Sequence, residues 1–219
     1  MIATLIGGTG LTGSFLIRHL LADPAITKVV SISRKSLQIS DAKLTEVLIS
    51  DLAELPSIQS KIGTESQIGG DLYFCCLGTT IKAAGSQASF ERVDRDAVVA
   101  FAKIAQAHDA KSFALVSAMG ATANSRFFYN QVKGRTENDV HALGLRSLLI
   151  FRPALLVGPR REFRLAEKIA AKTLVPLSHL LPPRTRKSLI TDAETLARRM
   201  LAEAKVAPPG VHLIKAKDI

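Results

Sequence analysis

The run Ile2–Ile6 is short, apolar and uninterrupted, and it opens directly into Gly7-Gly8-Thr9-Gly10-Leu11-Thr12-Gly13. Such a run fits a strand buried on both faces. The next stretch, Leu11–Leu21, brings Phe15, Leu16, His19 and Leu20 near one stripe, which is helical spacing. Gly7, Gly10 and Gly13 stand three apart between the two. Glycine there permits a tight turn, and the last one lets the helix pack close to the sheet. A glycine triplet placed between a first strand and a first helix is far more specific than the same triplet elsewhere.

The rest of the chain repeats the alternation. Lys28–Ser33, Leu44–Ile49, Leu72–Leu77, Phe113–Ser117 and Leu148–Phe151 read as further buried strands. Phe90–Ala107 repeats Val93, Ala97, Ala100 and Ile104 at helical spacing, and Phe127–Leu143 is a helix ending at Gly144. This β-α order implies crossover connections and an α/β fold with a doubly wound parallel sheet. With 219 residues, a single domain 1–219 is predicted. After Phe151 the alternation weakens, broken by Arg152-Pro153 and Pro182-Pro183. Helices are predicted at Phe163–Lys172 and Asp192–Ala204 and a last strand at Val211–Ile214. Residues 152–219 are therefore read as a small cap segment within the one domain.

The loop and strand ends predict a ligand. A helix starting at the glycine turn presents unpaired N–H groups and a positive dipole end, which suit a pyrophosphate. Gly7, Thr9, Gly10, Leu11, Thr12 and Gly13 are the expected contacts. NAD sites place Asp or Glu at the end of the second strand to hold the ribose 2′-OH. This chain reads Ser33-Arg34-Lys35 there, with no carboxylate before Asp41. Arg34 and Lys35 suit a 2′-phosphate, so NADP(H) is preferred over NAD(H). Asp51 and Leu52, ending the third strand, are placed beside the adenine. Leu77, Gly78, Thr79 and Thr80, ending the fourth, are placed beside ribose or phosphate. Cys75 and Cys76 are adjacent, have no metal-ligand spacing and read as buried thiols. The five histidines are scattered and give no metal site.

Tyr129 and Lys133 lie four apart on a predicted helix and share a face. An ammonium beside a phenol favours the phenolate and prepares Tyr129 as a general acid for carbonyl reduction. The chain has only two tyrosines, which makes the pairing less ordinary. With the glycine loop, Tyr129-Asn130-Gln131-Val132-Lys133 resembles the short-chain dehydrogenase/reductase superfamily. Within its atypical branch the chain resembles the Tat-interacting-protein-like oxidoreductases. Gly7–Gly13, Cys75-Cys76-Leu77-Gly78-Thr79-Thr80, Val93-Asp94-Arg95-Asp96, Tyr129–Gly134 and Phe151-Arg152-Pro153 carry that likeness over about residues 1–160. The resemblance implies an NADPH-binding Rossmann domain with Tyr129 and Lys133 in the catalytic positions, Lys133 also holding the nicotinamide ribose. The superfamily's catalytic serine is usually the second of a Ser-Ser pair. This chain has Ser117-Ala118, and Ser117 is taken for that role.

Composition bounds the rest. Hydrophobic residues at 47% and charged residues at 22% exclude a disordered chain. The net charge is +10, concentrated after residue 150 with Arg160, Arg161, Arg164, Lys168, Lys172, Arg184, Arg186 and Lys187. That excess attracts an anionic partner or forms a solvated face. Aromatic residues are only 5% and Trp is absent, which argues against nucleic acid. The N-terminus leaves no room for a secretory signal, and no run of 18 apolar residues exists. A cytoplasmic protein that does not span a membrane is expected, as a monomer or homodimer. Three functions fit: an NADP-dependent oxidoreductase acting on a small carbonyl or alcohol, a non-catalytic NADPH-sensing regulator with a protein partner, and a nucleotide-sugar epimerase or dehydratase. The short tail argues against the third.

Overall fold

The structure is a computed structural model, and it describes residues 1–57, 70–158 and 189–219. In chain order its elements are β1 (Ile2–Ile6), α1 (Leu11–Ala22), β2 (Lys28–Ser33), β3 (Leu44–Leu48), β4 (Leu72–Cys75), α2 (Ile81–Ala84) and α3 (Gln87–Glu91). A widened, π-type turn at Arg92–Asp96 leads into α4 (Ala97–Ala107). Then come β5 (Ser112–Val116), α5 (Phe128–His141), β6 (Ser147–Arg152), β7 (Leu155–Val157), β8 (Ile190–Asp192), α6 (Ala193–Val206) and β9 (Gly210–Lys215).

Seven strands form one parallel sheet in the order β3-β2-β1-β4-β5-β6-β9. The doubly wound Rossmann-type sheet read from the alternation is therefore what the chain forms. Successive residues on a strand point to opposite faces, so each strand feeds two cores. Tyr73 and Cys75 of β4 join Val98, Phe101, Ile104 and Val140 of α4 and α5. Leu72 and Phe74 of the same strand join Leu16, Ile17 and Leu20 of α1 and Leu196, Ala197 and Met200 of α6. Full burial of such side chains contributes roughly 1.5–3 kcal/mol each. This two-sided demand explains why the strands read as unbroken apolar runs rather than alternating ones.

The end of the chain is built into the sandwich. α6 packs on the face of α1, and Lys205 pairs with Asp23 at 2.6 Å. β9 lies parallel to β6 as the seventh strand. β7 and β8 form a separate two-stranded parallel sheet that the sequence reading did not contain. Three-residue strands beside Pro153 give too little periodicity to read. The helix predicted at Phe163–Lys172, and the basic residues from Arg160 to Lys187, lie outside the described residues. No helix among the described residues is long and apolar enough to cross a membrane.

Candidate functional site

Strand order reverses between β1 and β4, the place where open α/β sheets hold a ligand outside the carboxyl ends of their strands. The glycine loop sits there. Gly7 adopts φ +85°, a left-handed conformation, and a Cβ on it would lie 2.6 Å from the backbone carbonyl of Cys76. Only glycine accepts both conditions. The Gly10 N–H donates to the Gly7 carbonyl at 3.0 Å, closing the turn. Gly10 then caps α1 without any side-chain acceptor, and the first turn of α1 carries no acidic residue. The leading N–H groups of α1 thus stand at a positive helix end with no competing anion of their own. Thr9 and Gly10 are exposed and Leu11 is half-buried, while Thr12 and Gly13 are buried. This uncapped, side-chain-free cradle fits a pyrophosphate.

At Gly13 the helix meets the loop so closely that a Cβ would lie 2.2 Å from the Gly7 carbonyl oxygen. Neither neighbour can swing aside, because both are backbone. Gly13→Ala is expected to cost about 1–3 kcal/mol, the usual range for overpacking. It is also expected to weaken dinucleotide binding at least tenfold by displacing the loop. Urea unfolding and calorimetric titration with NADPH read the two effects, and a variant unchanged in both would show that the close approach is not needed.

At the end of β2, Arg34 and Lys35 are exposed. The Arg34 guanidinium has no hydrogen bond or ion pair among the described residues. The Ser33 hydroxyl donates to the Lys35 carbonyl and so holds the corner. Glu46 of β3 accepts from the Ser36 hydroxyl and the Leu37 N–H. The Glu46 carboxylate is therefore occupied with the loop that follows this corner. Sequence reasoning missed Glu46, since it belongs to the next strand. Asp51 caps a short turn by accepting from the Ala53 N–H, with Leu52 half-buried beside it. At the end of β4, Leu77 is half-buried and Gly78 exposed. Thr80 caps α2 by accepting from the Ala83 N–H.

The centre of the site is an ion pair that spacing alone does not reveal. Lys133 of α5 and Asp94 of the π-type turn meet at 2.8 Å with side chains 4% and 0% exposed. The other oxygen of Asp94 accepts from the Thr79 N–H at 2.9 Å, and its backbone carbonyl accepts from the Thr136 hydroxyl. Burial opposes the charge on Lys133, but Asp94 and then Tyr129 outweigh it, so its pKa lies above the ordinary lysine value. Lys133 is a charged group held in place. Tyr129, one turn earlier, is 36% exposed and packs its ring on Phe90 at 5.5 Å. One turn after Lys133 stands buried Glu137, which accepts from the Ser117 hydroxyl and from Nε and Nη2 of Arg152. That pairing raises the Arg152 pKa. Tyr129, Lys133 and Glu137 thus form one stripe of α5. The hydrogen of Ser117 is directed at Glu137.

Cys75 is fully buried, and burial pushes its thiol up to about 12. Half-buried Cys76 is pushed higher still by the same cause. Burial thus disfavours the thiolate, the nucleophilic form, at both.

A family of proteins described as NAD(P)H-binding matches residues 7–171. Protein fmp52, mitochondrial, of Emericella nidulans is 36% identical over 170 residues, covering 76% of this chain and 71% of the relative. Protein HTATIP2 of Rattus norvegicus is 37% identical over 174 residues, 77% of this chain and 68% of the relative. Among solved structures, UDP-glucose 4-epimerase of Thermus thermophilus, in complex with NAD, superposes with a TM-score of 0.72. It is 12% identical, and the match covers 98% of this chain and 78% of the epimerase, so the likeness is one of fold. Relatives from Scheffersomyces stipitis and Candida albicans are also named mitochondrial. These names overturn the expectation of a cytoplasmic protein. That expectation followed from the lack of a secretory signal and of a long apolar run, neither of which separates cytoplasm from mitochondrion.

Proposed function

We propose that this chain, which belongs to the NAD(P)H-binding family of oxidoreductase-like proteins, is an NADP(H)-dependent enzyme that interconverts a small carbonyl compound and its alcohol. The observation that carries the reading is the buried Lys133–Asp94 pair one helical turn behind half-exposed Tyr129. The α1 N-terminus and the glycine loop hold the pyrophosphate. Asp51 and Leu52 would flank the adenine, and Leu77, Gly78, Thr79 and Thr80 would lie beside ribose or phosphate. When bound, NADPH supplies the hydride. Tyr129 gives the proton to the carbonyl oxygen. Lys133, kept charged by Asp94, favours the resulting phenolate and holds the ribose. Ser117 stands on the same side, but its hydrogen is committed to Glu137. A missing donor at such an oxygen costs about 10²–10³ in rate. Slow turnover is therefore expected, measured as NADPH consumption across a panel of carbonyl compounds.

Preference for NADP(H) rests on exposed Arg34, which is unpaired among the described residues. Removing a charge-assisted phosphate contact costs about 1.5–3 kcal/mol. Arg34→Ala is expected to weaken NADPH binding by tens of fold and to leave NADH nearly unchanged. Equal losses for both in calorimetry would refute the assignment.

The engagement of Ser117 by Glu137 also favours a second reading, an NADPH-sensing regulator that captures a protein partner. In that case no carbonyl compound is turned over above background, and partner capture depends on NADPH instead.

A further inference from the structure

We propose that the cleft outside the carboxyl ends of β5, β6 and β9 is an anion subsite, and that the carbonyl compound acted on carries a carboxylate held there. The assignment deepens the oxidoreductase reading and rests on it.

The cleft measures about 260 Å³ and is lined by Met119, Gly120, Arg152, Lys215, Ala216 and Lys217. Arg152 ends β6 and Lys215 ends β9, and the two are register partners on adjacent strands. Like charges placed opposite each other on neighbouring strands repel. Glu137 answers Arg152 through Nε and Nη2 alone, and Nη1 has no partner among the described residues. Lys215 and Lys217 are exposed, with no ion pair among the described residues. Asp218 follows Lys217 but does not line the cleft. Three cations thus line the cleft, and Glu137, which pairs with Arg152, is not part of its lining. Such a lining concentrates field and draws an oxyanion. A guanidinium and ammonium groups together suit carboxylate geometry.

The remaining lining sets the size. Met119 and Ala216 supply an apolar wall, and the volume falls below the usual 300–1,000 Å³ of ligand pockets. The space suits a short aliphatic acid. The cleft is also joined to the proposed chemistry. Met119 lies two residues beyond Ser117, and Glu137 grips both Ser117 and Arg152 from the stripe that carries Tyr129 and Lys133.

The test uses the NADPH-loaded protein and the double variant Lys215→Ala/Lys217→Ala, whose substituted side chains are exposed. Succinate, which has no aldehyde or ketone to reduce, is titrated by calorimetry. Binding to the wild type and at least tenfold weaker binding to the variant are expected. No binding to the wild type, or equal binding to both, would overturn the subsite. Turnover of succinic semialdehyde is then compared with that of its primary amide. The acid is expected to lead at least tenfold through KM, and the lead to collapse in the variant. An amide turned over as well as the acid would overturn the proposal and leave the oxidoreductase reading standing. Lysine-dependent succinate binding without turnover of either compound would support the subsite and count against that reading.

Discussion

Tyr129→Phe is expected to lower turnover by about 10²–10⁴, the range for loss of a general acid, with NADPH affinity close to wild type. The ring contact with Phe90 does not use the hydroxyl, so the phenylalanine keeps its seat. The Lys133–Asp94 pair is made without the tyrosine oxygen and stays formed. What disappears is the proton that the carbonyl oxygen would receive. Single-turnover NADPH oxidation separates this step from binding. A variant rate equal to wild type would remove Tyr129 from the chemistry and leave the regulatory reading in its place.

Asp94→Ala is expected to destabilise the fold by about 3–5 kcal/mol, because it strands a buried ammonium. At 4% exposure, water gives the stranded Lys133 charge little compensation. The Thr79 N–H also loses its acceptor, and with it the corner that ends β4 opens. At about 2–4 °C per kcal/mol for a domain of this size, the thermal midpoint should fall by roughly 6–20 °C. Asp94→Asn keeps an acceptor for Thr79 and loses only the charge, so it should fall between. Urea and thermal unfolding measure both. An alanine variant within 1 kcal/mol of wild type would mean that Lys133 finds another partner or leaves the interior.

The sheet was legible because its physics is local and repetitive. β1, β2 and β5 lie within a residue or two of the predicted runs, and the doubly wound order follows from short apolar runs separated by helices. Tyr129 and Lys133 were legible as a pair because four residues is one helical turn. Glu137 continues the same stripe, yet its partners Ser117 and Arg152 come from two other elements, and no spacing rule connects them. Asp94 stood in the segment Val93-Asp94-Arg95-Asp96, but its role was hidden for a different reason. Along Phe90–Ala107 an apolar template selects Val93, Ala97, Ala100 and Ile104. The structure leaves Val93 and Ala100 only half-buried and buries Asp94, Val98, Phe101 and Ala105. A stripe that begins on a carboxylate does not register as apolar, and its burial makes sense only once Lys133 is seen opposite.

The widened turn at Arg92–Asp96 makes this site a matter of counting as well as chemistry. Each residue of an α-helix advances the direction of its side chain by roughly 100° and the axis by about 1.5 Å. Deleting one residue within the turn would let α3 and α4 merge into an ordinary helix. Everything upstream would then swing by that angle relative to α4, taking Phe90 off the Tyr129 ring and Asp94 off Lys133. A chain with every named side chain intact, but one codon shorter at this point, would lack the assembled site. Such a turn is gained or lost in a single insertion or deletion, and a chain of point substitutions has no gradual path between the two states.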